Sequence, residues 1–207
     1  MTSIEALTLE VADTTAAARF YTAFGLDAHV RLRASDAETT GFRGFALALT
    51  VSQPAVVDHF VAAAVDAGAT VLKPATKSFW GYGGVVRAPD GTICKIATSA
   101  RKNTAPAEPR IDEFVLLLGA TDVAESKRFY VEQGLVVAKS FGRKYVEFAA
   151  SSSPVKLALY GRRALAKDVG VPEEGTGSHR IALSSAAGAF SDPDGFAWEA
   201  VEPARTA

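Results

Sequence analysis

The 207-residue chain has few of the residues and segments that mark several common classes of protein. Cys94 is its only cysteine, so an internal disulfide is excluded and a reducing cytoplasm is the expected setting. The thiol stands in the apolar run 92–96, which favours packing over reactivity. Neither an apolar run of about 18 residues nor an N-terminal signal-type segment is present, so we expect neither membrane spanning nor export.

An excess of charge of one sign is also missing. The chain has 22 Lys and Arg against 23 Asp and Glu, without a basic or acidic run, which gives no electrostatic footprint for nucleic acid or an anionic membrane. A phosphate-binding loop is missing too, because Gly175-Thr176-Gly177 lies in a polar stretch that no strand precedes. Composition and motifs therefore favour neither nucleic acid nor a membrane surface as a partner.

What the chain does have is a pattern that occurs twice. An aspartate is followed seven residues later by Phe-Tyr and then by Gly-Leu: first at Asp13, Phe20-Tyr21 and Gly25-Leu26, and 109 residues later at Asp122, Phe129-Tyr130 and Gly134-Leu135. A Pro-Asp-Gly turn also recurs, at 89–91 and 193–195. The repeat predicts two domains, residues 1–99 and 111–207, joined by a polar, proline-containing linker at 100–110.

Local patterns predict helices and strands in both halves. Helices are predicted at 14–24, from Pro54 to 67, at 122–133 and at 162–169, with glycines at their ends. Strands are predicted in the first half at 4–12, 28–33, 44–51, 70–73, 83–88 and 92–98. In the second half they are predicted at 111–119, 136–141, 144–149, 155–160, 179–184, 187–191 and 196–201. The polar stretch 34–41 is predicted to be a loop.

This order of elements, with its repeated motifs, resembles the vicinal-oxygen-chelate superfamily, which includes glyoxalase I, bleomycin-resistance proteins and extradiol dioxygenases. The matching segments are 13–26, 81–96, 122–135 and 191–199, so the resemblance covers both halves. It implies an α+β fold, a tandem repeat of βαβββ-type modules whose curved mixed sheets enclose a cavity with helices packed outside. It also implies a monomeric pseudo-dimer, with a homodimer as the alternative.

Metal-using members of that superfamily hold a divalent ion with His, Gln or Glu side chains that point inward from the strands. The corresponding positions of the first half are Ala6, Ala46 and Lys95. Two of these side chains carry no donor, and the third is an ammonium group that repels a cation. The resemblance therefore implies no metal in the first half.

The second half has more polar groups at these positions. Glu199 stands where the family has a glutamate, and the first-strand position is Val115 or, with a longer loop, Glu113. The others fall near Ala158 and on Arg180, with His179 beside it on the opposite strand face. A Glu113–Arg180–Glu199 cluster makes more physical sense than a metal site, because one guanidinium would neutralise both acids. We expect no cofactor; a divalent metal on Glu113, His179 and Glu199 is the alternative.

Aromatic residues and one arginine are the candidate ligand contacts: Phe79, Trp80, Tyr82, Tyr145, Tyr160, Arg180 and Trp198. Phe79-Trp80-Gly81-Tyr82 at a strand entry suits a ligand platform, whereas core packing alone could explain Trp198.

The leading hypothesis is metal-independent binding of a small, partly aromatic organic molecule, as in sequestration of a drug by a bleomycin-resistance protein. The rival is a lyase, isomerase or dioxygenase of the same superfamily that uses a divalent metal. A third hypothesis is a metal-free enzyme with Glu113 or Glu199 as general base.

Overall fold

The structure is a computed structural model that describes residues 2–150 and 153–201. The first half contains β1 (Ile4–Val11), α1 (Thr14–Phe24), β2 (Arg31–Ala34), β3 (Thr39–Gly41), β4 (Phe45–Thr50), α2 (Pro54–Asp66), β5 (Thr70–Ser78), β6 (Gly81–Arg87) and β7 (Ile93–Thr98). The second half contains β8 (Glu113–Ala120), α3 (Val123–Glu132), β9 (Val137–Ser140), β10 (Tyr145–Phe148), β11 (Lys156–Gly161), α4 (Arg162–Val169), β12 (Gly175–Gly177), β13 (Ile181–Ser185), β14 (Phe190–Ser191) and β15 (Ala197–Ala200).

The repeated aspartates begin equivalent helices. Asp13 accepts hydrogen bonds from the first-turn N–H groups of α1, and Asp122 does the same for α3. An aspartate at this position satisfies backbone donors that have no partner inside the helix. Gly25 then ends α1 in a left-handed conformation, with φ of 80°, which a residue with a side chain rarely adopts.

An eight-stranded sheet contains two complete βαβββ modules. Module B runs from β4 through α2 to β7, and module C runs from β8 through α3 to β11. In each module the first strand pairs in parallel with the last, and the sheet order is β5-β6-β7-β4-β8-β11-β10-β9. The modules join where β4 and β8 pair antiparallel, so strands of both halves of the chain form one sheet.

A five-stranded sheet contains two shortened modules. Module A retains β1, α1 and β2, and module D retains β13, β14 and β15 without a helix between them. β1 pairs antiparallel with β13, again across the two halves of the chain. The predicted α+β fold of tandem βαβββ-type modules is confirmed.

The main core joins one face of each sheet to α1, α2 and α3. The opposite side of the eight-stranded sheet, called the open face below, carries Ala46, Val115 and Ala158 by the strand alternation. A second, smaller apolar cluster lies there, because α4 packs Leu165 and Val169 onto the sheet. α4 therefore covers the middle of the open face.

In each half the repeated tyrosine donates a hydrogen bond to an aspartate, which lies in the Pro-Asp-Gly turn in the first half and directly before it in the second. The Tyr21 hydroxyl donates to Asp90 at 2.9 Å, and the buried Tyr130 hydroxyl donates to Asp192 at 2.6 Å. These bonds attach α1 to module B and α3 to module D, and so join the two sheets through the helices.

Two short strands were not predicted. β3 lies within the predicted loop 34–41, and β12 contains the discounted Gly175-Thr176-Gly177. They pair only with each other, across 136 residues of sequence between Thr40 and Thr176. Such distant partners leave no local signal. No helix in residues 2–150 or 153–201 is long and apolar enough to cross a membrane.

Candidate functional site

The last strand of each complete module, β7 in module B and β11 in module C, places a lysine on the open face of the eight-stranded sheet. Lys95 on β7 lies directly across the ladder from Ala48 on β4, and Lys156 on β11 lies across from Val115 on β8. Ala48 and Val115 are themselves a cross-strand pair. The centre of this face therefore has two ammonium groups beside two apolar side chains.

Lys156 lies in an ion network with two carboxylates. Its Nζ contacts Glu113 and lies 3.2 Å from Glu147, which also accepts a hydrogen bond from the Tyr145 hydroxyl at 2.8 Å. Burial alone would lower the pKa of Lys156, but its bonds to Glu113 and Glu147 outweigh it and the pKa is raised. Lys156 therefore stays protonated and is a poor nucleophile or base.

The buried carboxylate of Glu147 forms an ion pair with the Lys156 ammonium group. Its burial opposes ionisation, yet the hydrogen bonds from Tyr145 and Lys156 lower its pKa. Tyr145 and Tyr160 meet edge to face at 4.9 Å beside this network, and burial raises the pKa of both hydroxyls. Lys156, the two glutamates and the two tyrosines thus form one ion and hydrogen-bond network on the open face.

A trough opens at the module B end of the same face. Its cavity has a volume of about 270 Å³ and lies between β5, β6, β7 and the C-terminal end of α4. The cross-strand pair Gly83 and Ala97 lies on it, where the chains approach so closely that a Cβ on Gly83 would lie 2.8 Å from the Ile96 carbonyl oxygen. Small residues thus leave room above the sheet.

Two lysines hold α4 at the edge of the trough. Lys95 Nζ lies 2.6 Å from the Asp168 carboxylate, and Lys73 Nζ donates to the Lys167 and Asp168 carbonyl oxygens at 2.8 and 2.6 Å. A cation at the last carbonyl groups of a helix also complements its dipole. The walls carry two ammonium groups and one carboxylate, a net positive charge.

Trp80 forms the outer rim of the trough. The residue lies at the tip of the β5–β6 hairpin, is 83% exposed and contacts Phe79 edge to face at 5.0 Å. Phe79 is exposed to nearly the same extent, 78%, but does not line the cavity. Tyr82 also lines the cavity, while its hydroxyl donates to Asp58 on α2 at 2.7 Å.

The open side of the five-stranded sheet has an arginine between two carboxylates. Arg33 on β2 lies 2.7 Å from Glu10 on β1 and 2.8 Å from Glu199 on β15. The hydrogen bonds to Glu199 and then Glu10 raise the pKa of Arg33. One guanidinium therefore holds both acids, the chemistry predicted for the second half, but with different partners.

The predicted Glu113–Arg180–Glu199 cluster is not assembled. Glu113 lies on the eight-stranded sheet beside Lys156, and Glu199 lies on the five-stranded sheet beside Arg33. Arg180 instead donates from Nη1 to the Ser35 carbonyl oxygen at 2.7 Å. Strand pairing across the two halves separates these residues, and the sequence alone did not reveal it.

His179 has no free ring nitrogen for a metal. Its Nδ1 lies 2.5 Å from the Arg43 carbonyl oxygen and its Nε2 lies 3.0 Å from the Asp194 carbonyl oxygen. The ring also stacks on Phe196 at 4.0 Å. His179 thus connects the loop before β4 to the second Pro-Asp-Gly turn.

Trp198 and Cys94 are core residues. Trp198 is 2% exposed, stacks on Phe190 at 5.1 Å and donates from Nε1 to the Tyr130 hydroxyl at 3.3 Å. Because Trp198 is buried in the main core, it offers no surface to a ligand. Cys94 occupies the position in the first copy of the repeat that Trp198 occupies in the second. It is likewise fully buried, and burial raises the pKa of its thiol.

The residues at the metal positions of the fold do not suit a metal ion. A divalent cation needs several carboxylate, imidazole or amide donors. On the open face of the eight-stranded sheet these positions hold lysines and apolar residues. On the five-stranded sheet Arg33 already binds the carboxylate of Glu199. Within the described ranges, no three His, Cys, Asp or Glu side chains are grouped to hold an ion.

Comparison with solved structures identifies the fold. Glyoxalase I from Zea mays superposes with a TM-score of 0.61 at 15% sequence identity, over 98% of this chain and 92% of that one. A putative dioxygenase from Bacillus subtilis gives 0.56 at 12% identity, over 93% of this chain and 71% of that one. No protein-family model and no curated protein matches the chain. The chain therefore has the fold of these two proteins, the fold that the resemblance implied.

Proposed function

We propose that this chain, built on the glyoxalase fold, binds a small, planar, acidic organic molecule in the trough of module B, without a metal and without chemical turnover. The observation that carries the proposal is the trough itself, with Trp80 at its rim, Gly83 on its floor and Lys95 where metal-using relatives have a carboxylate. Sequestration of a toxic compound is the biological role that such binding would serve.

The size of the trough supports a ligand with one or two rings. At about 270 Å³ it lies at the lower limit of ligand pockets, which range over roughly 300–1,000 Å³. A floor of Gly83 and Ala97 lets a flat ring approach the sheet, and the exposed indole of Trp80 offers a face for stacking.

The charge of the trough supports an acidic ligand. Lys73 and Lys95 together outnumber the single carboxylate of Asp168. A carboxylate on the ligand could therefore take a hydrogen bond from an ammonium group while the ring lies under Trp80. Neutral analogues lack that partner and should bind more weakly.

The test is a calorimetric titration of 2-naphthoate into the full chain after EDTA treatment. Trp80→Ala should weaken binding about fivefold or more, since loss of an aromatic stacking contact of this kind is worth about 1 kcal/mol or more. Phe79→Ala is the matched control, because this neighbour is equally exposed but lies outside the trough. Neutral 2-naphthamide should bind more weakly than 2-naphthoate.

Two results would contradict the proposal. Equal effects of Trp80→Ala and Phe79→Ala would mean that the hairpin tip binds aromatic compounds without the trough. Binding that EDTA abolishes and a divalent ion restores, with chemical change of the ligand, would support the metal-dependent enzyme instead.

The pairing of β1 with β13 and of β4 with β8 supports a monomeric pseudo-dimer as the working unit. Light scattering during gel filtration should then give a mass near 21.7 kDa, and twice that value would indicate a homodimer.

A further inference from the structure

A second cavity, of about 260 Å³, lies beside the start of α1 and shares no lining residue with the trough. The first two turns of α1 form one wall, with Ala16, Ala17 and Phe20, and the turn at Pro89 forms another. Two arginines, Arg43 and Arg180, also line it, together with two acids, Asp13 and Asp90. The cavity therefore combines an apolar side with two guanidinium groups.

Arg43 has a donor without an acceptor. It lies in the loop between β3 and β4, and its Nη2 donates to the Asp90 carbonyl oxygen at 2.6 Å. That guanidinium lies against Gly91, where a Cβ would come within 2.8 Å of Nη2. Nη1 is buried and has no hydrogen-bond partner in the part of the chain that the structure describes.

Arg180 also has a donor without an acceptor, and its backbone conformation is unusual. With φ of 57° it is the one described residue other than glycine in the left-handed region. Ser178 Oγ accepts from its N–H at 3.0 Å, and its carbonyl oxygen accepts from Glu10 N–H at 3.0 Å. Its Nη1 donates to the Ser35 carbonyl oxygen, whereas its Nε is buried without a partner among the described residues. Strain of this kind is often retained at functional sites.

The carboxylates in the lining do not pair with these arginines. Asp13 Oδ1 accepts from the N–H groups of Thr15 and Ala16, and Asp90 accepts from Tyr21 and Thr92. Within residues 2–150 and 153–201, neither Arg43 nor Arg180 forms an ion pair with a carboxylate.

The positive charge of the Arg43 guanidinium is also disfavoured by its surroundings. Burial lowers its pKa, and the charges of Arg180 and Arg87 lower it further, although the charge of Asp90 opposes this. Half-buried like charges of this kind are normally neutralised by an anion.

We propose that this cavity binds a small oxyanion, a carboxylate or a phosphate, between Arg43 and Arg180. Guanidinium N–H groups bind such oxyanions through charge-assisted hydrogen bonds, and both arginines line the cavity without a carboxylate partner among the described residues. The wall of Ala16, Ala17 and Phe20 accommodates a short hydrocarbon or ring attached to the anion.

The test uses Arg180→Asn in the full chain, because asparagine tolerates the left-handed conformation and should preserve the fold. Inorganic phosphate and, separately, acetate are titrated at constant ionic strength, and the arginine Nε–H resonances are followed by NMR. We expect the Arg180 Nε–H signal of the wild type to shift with saturation. Arg180→Asn and Arg43→Gln should each weaken binding by about tenfold or more. Arg110→Gln, which removes an exposed arginine paired with Asp112, should not.

Arg180→Gly serves the same purpose if the asparagine variant does not fold, since glycine adopts the same backbone conformation. Saturation by either anion supports the proposal, and the tighter one identifies the class. Equal affinity in the wild type and Arg180→Asn would overturn it. So would an Nε–H signal that chloride shifts as far as phosphate does, because that response would be screening alone.

Discussion

Replacing the repeated tyrosine by phenylalanine in each half should have unequal effects on stability. Tyr130→Phe removes the donor to Asp192 Oδ2, an oxygen with no other hydrogen-bond partner in the described structure. It also leaves the buried Trp198 Nε1 without its acceptor. A hydrogen bond to a buried charge contributes about 1.5–3 kcal/mol and an orphaned donor costs about 1–3 kcal/mol, so we expect a loss of about 2.5 kcal/mol or more.

Tyr21→Phe should cost only about 1 kcal/mol. Asp90 is half-buried and keeps two bonds from Thr92, one from its N–H at 2.9 Å and one from its hydroxyl at 3.1 Å. The first half also has Cys94 in place of Trp198, so no indole donor is orphaned. The pair is a matched control, because the same atom is removed from equivalent helices.

The two losses should also differ in their dependence on pH. Burial raises the pKa of Asp192, although the bond from Tyr130 opposes this rise. A raised folded pKa means that stability is greatest with the carboxyl protonated and falls as pH rises through that pKa. Without the Tyr130 hydroxyl the ionised form becomes still less favourable, so the deficit of Tyr130→Phe should shrink in acid.

Urea unfolding followed by far-UV circular dichroism, at pH 7 and near pH 4, measures both effects. Equal losses for Tyr21→Phe and Tyr130→Phe would refute the assignment of Trp198 and Asp192 to one buried network. A deficit for Tyr130→Phe that is the same at both pH values would refute the role of the ionised carboxylate.

Three further predictions concern charge and burial. Cys94 should not react with Ellman's reagent in the native protein, because the buried thiol has a raised pKa, and should react fully in denaturant. Arg33→Gln should lower stability by only about 0.5–1 kcal/mol, and less in high salt, because the pair with Glu199 is solvent-exposed. Lys156→Met should lower the free energy of unfolding by more, about 1–3 kcal/mol in urea. The substitution removes the ammonium group that pairs with the largely buried carboxylate of Glu147.

The helices and the fold could be predicted from the sequence because their signals are local and occur twice. Asp13, Asp122 and the glycines at helix ends determine the helix bounds by capping alone, and the structure places α1 at the predicted residues. The repeat then supplied the order of elements that leads to the superfamily. Strand alternation placed Glu113 and Val115 on one face, as the structure does.

The partners of the charged residues could not be predicted, because they depend on which strands pair. A guanidinium between two acids was the right chemistry for Glu199, but the arginine that reaches it is Arg33, 166 residues earlier in the chain. The two meet only because β2, β1, β13 and β15 follow one another in one curved sheet, with Arg33 on β2 and Glu199 on β15. Neither spacing nor the repeat contains that information.

The two copies of the repeat preserve what builds the scaffold and differ where a ligand would bind. Modules A and D have lost strands, and Arg33 ties together the acids on the open side of their sheet. In the eight-stranded sheet, α4 covers the centre and the Lys156 network fills the module C end. The module B end carries the trough, and Lys95 lies in its wall. The ammonium group of Lys95 repels a metal cation and attracts an anion, which is why the proposed ligand is an acid.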